Sequence, residues 1–117
     1  MYKKILIITV LFLTLTLSSL FADKTLERIA AELYKEGEDL YNSGKSIEAA
    51  KAFESAIIKL KEADKIEDIP LDNDKVTYWL KLAFNGYLKG KDFENALRIQ
   101  NERIRLDQGS YNLISTK

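Results

Sequence analysis

Cysteine and histidine are both absent from this sequence. Their absence removes the thiolate nucleophile, the commonest general base and the usual zinc ligands together, and it leaves no disulfide framework. Proline occurs once, at Pro70, and glycine five times, so long stretches are free of helix breakers. Neither sign of charge is in excess: Lys+Arg and Asp+Glu each number 18, and no strong field draws the chain to nucleic acid or to an anionic membrane surface. What is present, 46% hydrophobic and 31% charged residues, suits one small domain with a helical lean.

One long uncharged run stands out. Lys3 and Lys4 precede an apolar stretch from Ile5 to Ala22, which closes on Leu20, Phe21 and Ala22 before Asp23. That order is the basic, apolar and small-residue sequence of a secretory signal peptide, so residues 1–22 are expected to be one, with cleavage after Ala22. The run is softened by Thr9, Thr14, Thr16, Ser18 and Ser19 and is short for the ~20 apolar residues of a spanning helix. Retention would instead give a membrane-anchored structural helical bundle. Export places the chain in the periplasm or outside the cell, and loss of Lys3 and Lys4 leaves 16 basic against 18 acidic side chains.

Beyond Asp23 apolar residues recur at helical spacing, and the expectation is an all-α domain of about four helices over residues 23–107. Leu26, Ile29, Ala30, Leu33, Gly37 and Leu40 form a first stripe; Ala49, Ala52, Phe53, Ala56, Ile57, Leu60 and Ala63 form a second. "NSGKS" separates them, with Gly44 as helix stop and Ser46 as the next cap. Pro70 ends the second helix, and Asp72 or Asn73 starts a third on Val76, Trp79, Leu80, Ala83 and Tyr87. Gly90 stops it, Asp92 caps the fourth, and Phe93, Ala96, Leu97 and Ile104 carry a weaker stripe that Gln100 and Arg103 interrupt. Glu94 and Arg98 are spaced for an i,i+4 pair. Residues 108–117 have no sustained period and read as a C-terminal tail.

Helices joined by three or four residues lie antiparallel and close, which calls for small side chains at the crossing and a larger one as filler. Gly37, Ala49 and Ala56 supply the first and Phe53 the second. The series Leu33, Gly37, Leu40, Gly44, Ala49, Phe53, Ala56 resembles the tetratricopeptide repeat. A second copy over 77–107 matches at Leu80, Ala83, Tyr87, Asp92, Phe93 and Ala96, but Gln100 and Arg103 stand where an aromatic and an alanine are expected. Ala49 to Ala96 is a 47-residue step against the ~34 of that family, so another type of helical hairpin or a plain four-helix bundle stays open.

The resemblance implies an α-solenoid fragment whose first helices line a groove for a protein or peptide partner. The lining it implies is Ala31, Tyr34, Glu38, Tyr41 and Asn42 from the first hairpin, and Tyr78, Lys81, Asn85 and Lys89 from the second. Tyrosines there offer contact area at low entropy cost, although the same rings equally suit packing at hairpin edges. Lys81 and Asn85 are the pair by which some members of the family hold a terminal carboxylate. Two repeats are fewer than the three or so such stacks need, which points to self-association or a different envelope protein, with Trp79, Ile99, Leu106 and Leu113 as candidates for that surface. No catalytic constellation emerges: serine and lysine lack a nucleophile elbow or a histidine base. Glu67, Asp68, Asp72 and Asp74 cluster without the glycine and final glutamate of a calcium loop, and helix capping explains them better. The expectation is therefore a non-enzymatic interaction adaptor of the cell envelope with no cofactor and no metal.

Overall fold

The computed structural model describes residues 25–115, so the signal peptide expected over 1–22 lies outside the described residues. Among them every regular element is a helix: α1 (Thr25–Asn42), α2 (Ser46–Ile66), α3 (Asn73–Lys89) and α4 (Phe93–Ser115). Each packs on the next in the chain. Turns of three residues, 43–45 and 90–92, join α1 to α2 and α3 to α4, and connections that short fold the second helix back along the first.

Both turns are built alike. After α1, the Lys45 N–H donates to the Leu40 carbonyl at 2.9 Å and the Gly44 N–H to that of Tyr41 at 3.1 Å. After α3, Asp92 donates to Tyr87 at 2.8 Å and Lys91 to Leu88 at 3.0 Å. This is the Schellman arrangement, which needs one left-handed residue. In the first turn it is Gly44 (φ 85°), but in the second it is Lys91 (φ 63°), not Gly90 as expected. Gly90 is required for another reason: a Cβ there would lie 2.3 Å from Cγ1 of Ile47. The end of α2 is closed differently: Asp68 is left-handed (φ 54°), and the Ala63 carbonyl accepts from both Glu67 at 2.9 Å and Ile69 at 3.3 Å, just before Pro70.

Helix starts follow the sequence less evenly. Asp72 caps α3 by accepting from the Lys75 N–H at 3.1 Å. Asp92 accepts from the Asn95 N–H at 3.3 Å and from its side-chain amide at 2.7 Å. Ser46 does not cap α2; it is the first helical residue and is buried, because the N-terminus of α2 is pressed against α3. The first turn of α1 is capped from afar, as Oε1 of Glu67 accepts from the Leu26 N–H at 2.6 Å while Oε2 of the same carboxylate is buried without a partner.

Helix α2 sits between α1 and α3, which explains its many buried alanines. Ala49, Ala52, Phe53, Ala56, Ile57, Leu60 and Ala63 are all buried as expected, and Ala50 joins them. Ala50 faces Gly86 of α3, where an added Cβ would fall 3.0 Å from the Ala50 Cβ and 2.7 Å from the Ser46 carbonyl oxygen. Backbone therefore meets backbone at the seam between the two hairpins. Nearby, Glu54 of α2 accepts from the buried Tyr87 hydroxyl of α3 and pairs with Arg98 of α4 (2.7 and 3.0 Å). Arg98 thus serves this three-helix link rather than the expected pair with Glu94.

Helix α4 departs most from expectation. It packs on α3 through Ala96 and Ile99, leaving Phe93 and Leu97 each 63% exposed, because a helix with one neighbour needs only a narrow apolar face. Trp79 and Ile99 are buried within this chain, so neither is free to meet another surface, and the Leu113 side chain lies outside the described residues. The tail expected from residue 108 is instead a continuation of α4 to Ser115.

Candidate functional site

On α1, Glu38 follows Tyr34 by four residues, and Tyr41 and Asn42 follow Glu38 by three and four, which brings all four to one side. Tyr78, Leu82 and Asn85, four and three apart, share a face of α3. The two faces meet over the ring of Phe53 and enclose a hollow of about 180 Å³ lined by these eight residues. Six of the nine expected groove residues therefore come together, while Ala31 and Lys89 lie outside this lining. Lys81 is outside it too, exposed on α3, so the Lys81–Asn85 pair is split. Leu82 was not expected, though its place four residues after Tyr78 and three before Asn85 puts it on their face.

A second hollow, about 520 Å³, continues toward the start of α3 and shares Tyr34 and Tyr78 with the first. Ala31, Trp79, Leu60, Glu27, Asp72, Asp74 and Lys75 complete it. The two form one trough along the α1–α3 side.

The floor of the trough is a run of aromatic contacts. The Tyr34 ring stacks on Trp79 (centroids 4.9 Å apart, planes at 11°) and tilts against Phe53 (5.7 Å, 50°). Such pairs add about 0.5–1.5 kcal/mol to the burial of their area. Gly37 makes the floor possible, since a Cβ there would come within 2.7 Å of the Phe53 ring. Tyr34 and Tyr41 are thus half packing and half surface, whereas Tyr78 is 51% exposed. Burial, then the Glu38 carboxylate and the Tyr78 phenol, push the Tyr34 hydroxyl above the ordinary tyrosine range.

The chain's own lysines already use the ring faces. The Lys89 ammonium lies 4.7 Å from the Tyr41 centroid, and that of Lys75 lies 5.8 Å from the Trp79 centroid. Among the described residues no group of histidine, cysteine or acidic side chains has the arrangement of a metal site, and no helix is long and apolar enough to cross a membrane. Comparison with models of protein families, with characterised proteins and with solved structures gives no match to this chain.

Proposed function

We propose that this chain is a non-enzymatic interaction adaptor of the cell envelope, a tetratricopeptide-like pair of helical hairpins that holds a partner protein or peptide in the trough between α1 and α3. The observation that carries this reading is the hollow itself: side chains from the first helix of each hairpin face one another over an aromatic floor, with Tyr78 exposed at its edge. Half-exposed tyrosines next to side-chain amides, here Asn42 and Asn85, suit a ligand with both apolar and polar surface. The repeated turn chemistry and the small residues at the hairpin seam support the same reading, because stacked hairpins leave their first helices lining one side. The signal-like first segment supports the compartment.

Site-specific photo-crosslinking tests this in cells that express the full chain. A benzophenone side chain at position 78 should give a discrete adduct of higher mass, and the same group at Ile58, exposed outside the lining of the trough, should not. Equal labelling from both positions, or none from 78, would overturn the groove assignment.

A further inference from the structure

We propose that the trough takes an extended basic segment, one Lys or Arg side chain of which seats on the Tyr34–Tyr78 edge against the Glu38 carboxylate. The proposal rests on the reading of the trough as a binding groove and adds the chemistry of its occupant.

Charge is the first reason. The chain as a whole is balanced, with 18 basic and 18 acidic side chains, yet the lining of the two hollows is not. Glu27, Glu38, Asp72 and Asp74 face one lysine, Lys75. A trough with low-dielectric aromatic walls and an excess of carboxylates focuses a negative potential, so a cationic ligand is drawn in and an anionic one repelled.

Ring chemistry is the second. A cation over an aromatic face gains about 0.5–1 kcal/mol where exposed and 2 or more where desolvated. Lys75 and Lys89 show that the rings here accept ammonium groups from the flanks. They engage Trp79 and Tyr41, which leaves Tyr78, half exposed between them, as the ring open to a ligand. Glu38 adds the counter-charge at that point; among the described residues no cation pairs with it. Its carboxylate also acts on the Tyr34 hydroxyl, which locates the negative charge at the ring edge. Lys81 stands outside the lining, which leaves Lys75 as the one cation within it.

The test uses the purified full chain and three blocked peptides of equal length, with Lys, Glu or Leu alternating with Ser. Trp79 is the sole tryptophan and stacks on Tyr34, so its emission reports occupation of the trough. The Lys peptide should bind saturably, the Glu peptide should not, and added salt should weaken the binding. Glu38→Gln and Tyr78→Leu alter exposed side chains, and each should weaken it about 5- to 20-fold. Lys-peptide binding that is absent, or indifferent to Glu38→Gln, overturns the proposal. Binding of the Glu or Leu peptide that Tyr78→Leu abolishes overturns the cationic assignment while the groove stands. Silence with all three peptides, together with no adduct from position 78, removes both.

Discussion

Gly37 of α1 lies beneath the ring of Phe53 of α2 so closely that any side chain at 37 would collide with it, the nearest ring carbon being 2.7 Å from the position of a Cβ. Phe53 is itself 2% exposed and held by Tyr34, so it has little room to retreat. Gly37→Ala gains up to ~1 kcal/mol in helix propensity but overpacks the crossing at a cost of about 1–3 kcal/mol. A net loss on the order of 1 kcal/mol is expected in urea unfolding. Pairing it with Phe53→Leu should recover part of that loss, and additive effects of the two changes would contradict the contact.

Gly86→Ala should cost more. Its neighbour is the Ser46 carbonyl, a backbone group that yields only if α2 moves as a whole. A loss of about 2–3 kcal/mol is expected, at the upper end of overpacking. For a domain of this size that is a fall in Tm of about 4–8 °C per kcal/mol. A melting temperature equal to that of the parent chain would show that the seam is looser than described.

The left-handed turn residues differ in side chain at equivalent places. Gly44 adopts its φ without penalty, whereas Lys91 carries a Cβ into that region. Lys91→Gly is expected to stabilise the fold by about 0.5–1 kcal/mol, the relief of strain exceeding the added entropy of the unfolded chain. Gly44→Ala should destabilise by about 1 kcal/mol. Thermal unfolding followed by circular dichroism checks both signs, and a loss from Lys91→Gly would count against the turn as drawn.

Much of this fold is legible in the sequence, and the places where it is not share a cause. Every residue expected on the buried side of α2 is buried, because that helix has neighbours on two sides and its composition is constrained all along. Helix α4 has one neighbour, and its stripe misleads accordingly: Phe93 and Leu97 are exposed. The apparent fault in the second repeat has a physical account. Phe84 and Gln100 stand 47 residues after Gly37 and Phe53, so the large and the smaller residue have changed helices. The guanidinium of Arg103 then covers the Phe84 ring at 5.6 Å and donates to Gln100 at 3.2 Å. In the trough, helical spacing alone brings Tyr34, Glu38, Tyr41 and Asn42 to one face; that Lys81 falls outside depends on the angle between hairpins, which no spacing encodes.

Alkaline pH offers a test of the buried phenol. Burial and the Glu54 carboxylate raise the pKa of Tyr87 far above the ordinary value of 10.0, so the folded state holds that proton more tightly than the unfolded chain. The resulting stability is complete below about pH 10 and declines as the pH rises beyond it, by about 1.4 kcal/mol per pH unit for one proton. Tyr87→Phe should lower stability at neutral pH through the lost bond to Glu54 and flatten the alkaline decline; Tyr34, also raised, supplies a smaller residual slope. An unchanged slope would mean that Tyr87 ionises freely.

Glu67 provides a local test. Its bond to the Leu26 N–H secures the first turn of α1 from the far end of α2. Glu67→Ala should cost about 1 kcal/mol, as the loss of a helix cap does, and speed amide hydrogen exchange at the start of α1 well before that of α3. Uniform acceleration across both helices would point to global rather than local loosening.

The close approach of Gly86 to Ser46 has a consequence on the opposite side of the molecule. The two walls that face each other across the aromatic floor belong to different hairpins, and α2 packs against both. The aperture is consequently a property of the hinge line behind it, not of the side chains that rim it. A single methyl group added at that line would push α2 and α3 apart and so reset the spacing of the two walls, while every residue that lines the hollow stays the same.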